Sequence, residues 1–253
     1  MIKLRTFVLA LLIASASPGY ARVTAEQMPA LLQLYTYRLK DRASFEKGYR
    51  DHLGWHVRQK DRLVWYAWMV ESGARRGLFI DGTAGVTFGQ LDGRPDPSGD
   101  AADFARTAAA HAEAVNVETW ELWNSPSTET PLEELKPPRE IDVFHIYTTV
   151  RDAQAFETAV DALGKRQGQS GPRITWYRLL RGGKVPAYML MVSRERWADI
   201  DAGSRTLSSA LSAAYQASPG QVQYVLNQIS SVETESWGYA PRLSLMPGAP
   251  LSD

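Results

Sequence analysis

The stretch Asp41–Tyr66, DRASFEKGYRDHLGWHVRQKDRLVWY, and the stretch Asp152–Tyr177, DAQAFETAVDALGKRQGQSGPRITWY, carry Asp, Phe-Glu and Trp-Tyr at the same places. Phe45-Glu46 returns as Phe156-Glu157 and Trp65-Tyr66 as Trp176-Tyr177, all at one constant offset. Further on, Val117-Glu118-Thr119 and Pro126 return as Val232-Glu233-Thr234 and Pro241 at a slightly larger offset. Several identities in the same order with one small gap mark an internal duplication, and the period of that duplication defines the folding unit.

Working outward from these blocks, each copy shows the same succession of alternating and helical apolar periods. In the first copy the periods predict a strand over Leu32–Leu39, a helix over Ala43–Val57, and strands over Leu63–Val70 and Leu78–Phe88. An Ala-rich helix over Asp100–Ala114, opened by a Gly99-Asp100 cap signal, and a strand over Val115–Trp123 complete it. The second copy predicts strands over Val143–Val150, Ile174–Leu180, Ala187–Val192 and Ser230–Trp237, with helices over Ala153–Leu163 and within Ser204–Ala217. The order is βαββαβ twice. The repeats occupy residues 22–124 and 140–253, and Pro126, Pro131, Pro137 and Pro138 cluster in the linker 125–139 between them.

A split βαβ unit is the ferredoxin-like arrangement, an α+β fold whose antiparallel sheet carries helices on one face. Its bare face must be buried, and the equivalent face of the second copy can do this. On this element order and duplication the chain resembles the dimeric α/β-barrel superfamily in a form with two ferredoxin-like units fused in tandem. The resemblance implies a pseudo-dimeric α/β barrel. It leaves the activity open, because such folds include cofactor-free monooxygenases, haem-dependent peroxidases and chlorite-degrading enzymes, lactone-forming isomerases and non-enzymatic binders.

Composition narrows the setting. Lys plus Arg and Asp plus Glu each number 28, so the formal net charge is zero and nothing favours a nucleic-acid partner. The short basic runs, Arg75-Arg76 and Arg178 with Arg181 and Lys184, flank Gly-containing turns and read as solvated charge. Residues 1–21 have a signal-peptide pattern: Lys3 and Arg5, an apolar run Phe7–Ala14, and small residues up to Ala21. This predicts export, periplasmic or secreted, with cleavage near Ala21, and no membrane span. There is no cysteine, so neither disulfides nor thiolate metal ligands contribute.

Strand alternation sorts the candidate site residues. Glu118 and Glu233 fall on the strand face opposite Val117 and Val232, which points them between the sheets, where an enclosed carboxylate can act as a general base or pair structurally with Arg38 or Arg178. His145 stands where the first copy has Leu34, and such an asymmetry is how a duplicated fold acquires a single centre. His145, Glu118 and Glu233 are therefore the catalytic candidates. Adjacent aromatics put one ring on each face of a strand, so Trp65, Tyr66, Trp176 and Tyr177, with Tyr147 and Arg38, are ligand-binding or core candidates.

His52 and His56 have the i,i+4 spacing of a metal pair beside Asp51, but Gly54 interrupts the run and no third ligand is apparent, so no metal is assigned. His111 is a candidate axial ligand if haem binds, and the cofactor is otherwise unknown. Neither a P-loop nor a Gly-x-Ser-x-Gly elbow is present. The leading expectation is an exported binding protein holding a partly apolar small molecule between its repeats. The alternatives are an enzyme in the same space, cofactor-free or haem-dependent, and an interaction module, as monomer or homodimer.

Overall fold

The computed structural model describes residues 30–165 and 171–251, so the expected signal peptide lies outside the described residues. Repeat one contains β1 (Leu31–Leu39), α1 (Arg42–Arg58), β2 (Tyr66–Val70), β3 (Leu78–Val86), the short α2 (Phe88–Asp92), α3 (Pro97–Thr107) and β4 (Ala112–Leu122). Repeat two contains β5 (Glu140–Thr148), α4 (Ala153–Gly164), β6 (Ile174–Arg181), β7 (Ala187–Arg194), α5 (Leu207–Tyr215), α6 (Pro219–Leu226) and β8 (Ile229–Tyr239). The second βαββαβ unit thus has two helices, α5 and α6, where one was expected.

The eight strands close into one antiparallel barrel in the order β1-β3-β2-β8-β5-β7-β6-β4. Within each repeat the order is that of the ferredoxin-like sheet, and the two sheets join through their edges. Trp68 pairs with Tyr239 and Val70 with Trp237 at one seam, and Trp120 with Leu179 and Leu122 with Tyr177 at the other. Edge pairing satisfies backbone groups that a face-to-face sandwich would leave open.

Alternation divides the side chains as the doubled Trp-Tyr blocks foreshadow. Tyr66 and Tyr177 face into the barrel, while Trp65 and Trp176 face the helices of their own repeats. The barrel interior is filled by Leu34, Trp68, Trp120, Val143, Met189 and Trp237 among others. The space between the repeats, expected to hold a ligand, is therefore a packed core, and each large apolar side chain buried there contributes about 1.5–3 kcal/mol.

The linker closes one end of the barrel. Its Leu132 joins the interior core, Tyr66 Oη donates to the Leu132 carbonyl at 2.6 Å, and Tyr177 Oη donates to Glu133 Oε1 at 2.8 Å. Two local expectations need correcting. Helix α3 is capped by Asp96, which accepts from Gly99 N, and it stops at Thr107, so residues 112–114 belong to β4. Helix α1 runs unbroken through Gly54 to Arg58, because a lone glycine in a helix anchored on both sides costs only about 1 kcal/mol. Among the described residues no helix is long and apolar enough to cross a membrane.

Candidate functional site

Of the residues singled out from the sequence, His145, Glu118, Glu233, Tyr147 and Arg38 lie away from the linker end, whereas Tyr66 and Tyr177 meet the linker and Trp65 and Trp176 face the helices. His145 pairs across β5 and β8 with Glu233, and Glu118 lies opposite Leu34, so both glutamates are on barrel-facing positions. Glu118 is half-buried and Glu233 exposed at the rim, where Arg38 is also exposed. Neither glutamate pairs with Arg38 or Arg178: the latter bridges Glu121 and Glu157 with its guanidinium over the Trp123 ring. Val117 and Val232 are exposed too, because the first halves of β4 and β8 extend past the helices.

The buried acid is Glu235, two residues beyond Glu233. Arg75 Nε and Nη2 donate to Glu235 Oε1 and Oε2 at 2.7 and 2.9 Å, and Trp237 Nε1 donates to Oε2 at 2.8 Å. Arg75 Nη2 also lies 3.1 Å from His145 Nε2. The same ring nitrogen is 3.6 Å from Glu235 Oε2. Burial pushes the Glu235 carboxyl up, but His145, the bidentate Arg75 and Trp237 more than offset this and hold it at about 2. A carboxylate so stabilised is a poor proton acceptor. Burial, with Glu233 and Glu118 nearby, raises Tyr147. This end of the barrel has the features of a buried ion pair that locks the β2–β3 turn onto β8.

A second constellation lies outside the barrel, between the sheet of repeat one and helices α1 and α3. His52 and His56 are one turn apart on the buried face of α1, and Asp100 and Asp103 one turn apart on α3. The helices approach closely at Gly48, where a Cβ would stand 2.0 Å from the Thr107 carbonyl oxygen. His52 Nε2 and His56 Nε2 are 3.2 Å apart, and Asp100 Oδ1 is 3.2 and 3.4 Å from them. A metal ion 2.0–2.1 Å from tetrahedral ligands separates them by about 3.3 Å.

Each imidazole is also oriented from behind. His52 Nδ1 is 3.0 Å from Asp103 Oδ2, and His56 Nδ1 is 2.9 Å from Asp61 Oδ2. A carboxylate only accepts, so each Nδ1 carries the proton and, in the neutral ring, each Nε2 presents a lone pair. Asp61 is itself held by Leu63 N and Trp65 Nε1, and Asp103 by Arg106. Arg94 Nη1 takes Asp100 Oδ2 at 3.3 Å, leaving Oδ1 toward the rings. Burial lowers the His52 pKa, and hydrogen bonds donated to Asp100 and Asp103, with the charges of those carboxylates, raise it beyond that, for a net rise.

These donors border a cavity of about 260 Å³ with Tyr35, Tyr37, Trp65 and Phe104 among its walls. Repeat two has no counterpart among the described residues: Leu163 replaces His52, and Tyr188, paired with Ile146, replaces Asp81, paired with Tyr35. Its helix–sheet layer is filled by those side chains with Phe156, Trp176 and Tyr215. Asp100, Asp103, Asp61 and Asp81 were not singled out from the sequence. The signal available for them was the Asp-x-x-Asp spacing of α3, and the same test of unmatched positions that selected His145.

No family model matches the chain, and no curated protein matches it. Solved structures do. A monooxygenase-like protein from Lactobacillus acidophilus NCFM superposes with a TM-score of 0.55 over 89% of this chain and all 100% of its own, at 10% identity. An anthrone oxidase-like protein gives 0.51 over 89% and 97% at 13% identity, and a chlorite dismutase variant from Candidatus Nitrospira defluvii gives 0.52 over 84% and 92% at 11%. The chain has the dimeric α/β-barrel fold. Identities this low carry the fold and not the chemistry.

Haem, which some dimeric α/β-barrel proteins use, does not fit here. The helix–sheet layer of repeat two is packed with aromatic rings, and the cavity of repeat one, about 260 Å³, lies below the roughly 300–1,000 Å³ of drug-sized ligand sites. His111 sits on the turn before β4, its carbonyl accepting from Lys40 N and Asp41 N. Of the remaining histidines, His145 Nε2 is held by Arg75, and His52 and His56 border that small cavity.

Proposed function

We propose that this protein is a small-molecule metalloenzyme whose centre is the cavity of repeat one, with one divalent transition-metal ion held by His52 Nε2, His56 Nε2 and Asp100 Oδ1. The carrying observation is the convergence of three buried or half-buried lone-pair donors at 3.2–3.4 Å, each imidazole fixed from behind by a carboxylate. Three acceptors facing one another repel unless a proton or a metal cation lies among them, and their spacing is that of ligands around a tetrahedral metal ion. Two imidazoles and one carboxylate suit Zn(II) or Fe(II) and leave coordination positions for water or substrate. Such an ion, when bound, supplies Lewis-acid polarisation and an acidified water.

The chain's own contribution is orientation. Asp103 and Asp61 hold the imidazole tautomers, Arg94 restricts Asp100 to one donor oxygen, and Tyr35, Tyr37 and Phe104 supply aromatic walls beside the donors. The ligand is placed here rather than between the repeats because the barrel interior is filled. The N-terminal pattern of Lys3, Arg5 and Phe7–Ala14 supports export, which detection of a chain beginning near Arg22 in the secreted or periplasmic fraction would test.

The metal reading is tested on untagged protein stripped with chelator and re-equilibrated separately with Zn(II), Co(II) and Fe(II). One equivalent retained per chain is expected from elemental analysis, with tetrahedral Co(II) absorption. His52→Ala and Asp100→Ala should each weaken retention by roughly 100-fold or more while keeping the far-UV spectrum of the parent. Retention that is absent, or unchanged in both variants, contradicts the proposal.

A further inference from the structure

Beside the three donors, the cavity is bordered by one more carboxyl group, that of Asp81 in the middle of β3, together with Arg94 and the tyrosines Tyr35, Tyr37 and Tyr49. Asp81 is 5% exposed. Its Oδ2 accepts a 2.6 Å hydrogen bond from Tyr49 Oη, while its Oδ1 is buried and has no hydrogen-bond partner. A carboxylate oxygen left in that state costs about 1–3 kcal/mol or more, so its persistence asks for a donor from something else. Strand register explains its surroundings: Asp81 lies across from Tyr35 on β1 and from the small Ala67 on β2, which leaves room on the helix side. In repeat two the corresponding Tyr188 fills that room with its own ring.

From this geometry we infer that the cavity binds a single aromatic ring carrying an O–H or N–H group, which donates to the Asp81 carboxyl group after a small shift of that side chain. The walls, Tyr35, Tyr37, Trp65 and Phe104, offer ring faces and edges to a flat apolar body, and about 260 Å³ limits the ligand to roughly monocyclic size. Burial pushes the Asp81 carboxyl up to about 7 against the Tyr49 hydrogen bond, the behaviour of a carboxylate short of donors. The inference rests on the preceding reading for the role of the site, since the ring would lie against His52 and His56, but the contact with Asp81 needs no metal.

The test therefore uses chelator-treated, metal-free protein, with phenol, aniline and toluene as probes, titrated by calorimetry and ligand-observed NMR. Phenol or aniline is expected to bind at least about tenfold more tightly than toluene, the change expected of one hydrogen bond to a buried carboxylate. The two donor probes decide between hydroxyl and amine. In Asp81→Asn that preference should fall to near unity with toluene affinity unchanged, and a thermal melt checks that the variant folds. Equal binding of all three probes, a preference that survives Asp81→Asn, or no saturation up to roughly 10 mM overturns the inference. Because no metal is present, these outcomes are independent of the retention experiment.

Discussion

Arg75 and Glu235 show how strongly a single residue's surroundings decide its role. Glu235 shares a strand face with Glu233, yet only Glu235 is buried, at 4% exposure, and is clasped by Arg75 and Trp237. Removing one partner of such a pair leaves the other charge uncompensated, so Arg75→Ala is expected to destabilise the fold by about 3 kcal/mol in denaturant unfolding. Glu235 also makes stability depend on pH. Its folded value, about 2, lies below the ordinary 4.5, so the unfolded chain binds the proton first as pH falls. The stabilisation is complete above about pH 4.5 and is lost progressively toward pH 2. Glu235→Gln should accordingly flatten the acid side of the stability curve over that window, and an unchanged profile would exclude Glu235 as its source.

At the scale of elements, the candidate site depends on how closely α1 meets α3. Gly48 makes the approach possible, and the two histidines follow one and two turns later on the same helix. Gly48→Val drives a side chain into the Thr107 carbonyl. Overpacking of this kind costs about 1–3 kcal/mol, and displacement of α3 carries Asp100 and Asp103 away from the imidazoles. The expected outcome is a lowered melting temperature together with weakened metal retention, whereas Gly54→Ala, whose Cβ meets only the Arg58 side chain, should leave both nearly unchanged or slightly improved. A Gly48→Val protein with parental retention would show that the helix spacing does not set the site.

For the whole molecule, the decisive feature is that neither repeat owns a complete core. Leu34, Tyr66, Trp68, Ile80 and Trp120 of repeat one face the barrel and are covered by repeat two and the linker. Residues 30–124 produced alone are therefore expected to dimerise into a rebuilt barrel or to aggregate, and a stable monomer by light scattering would contradict the shared core. The linker adds a second dependence. Tyr177→Phe removes the donor to Glu133, whose other oxygen, Oε2, is also buried without a partner, and should cost about 1–3 kcal/mol.

Local order along the chain was enough to determine the duplication, the βαββαβ unit and the split of each Trp-Tyr pair between the two faces of its strand, though not which ring faces inward, because strand alternation and helical period are properties of neighbours a few residues apart. The pairing of His52 with His56 was legible for the same reason. Their third partner was not: Asp100 lies 44 residues beyond His56 and reaches the imidazoles only because β2, β3 and the Gly48 contact fold α3 back across α1. Likewise, whether rings and carboxylates between the sheets line a pocket or fill a core depends on the curvature with which eight strands close. Closure placed Trp68, Trp120 and Trp237 in one interior and left the open space on the helix side of repeat one, where Asp81 and Ala67 stand in place of larger groups. Tertiary structure alone decided that, since cavity and core are made from the same residue types and differ only in whether distant side chains meet.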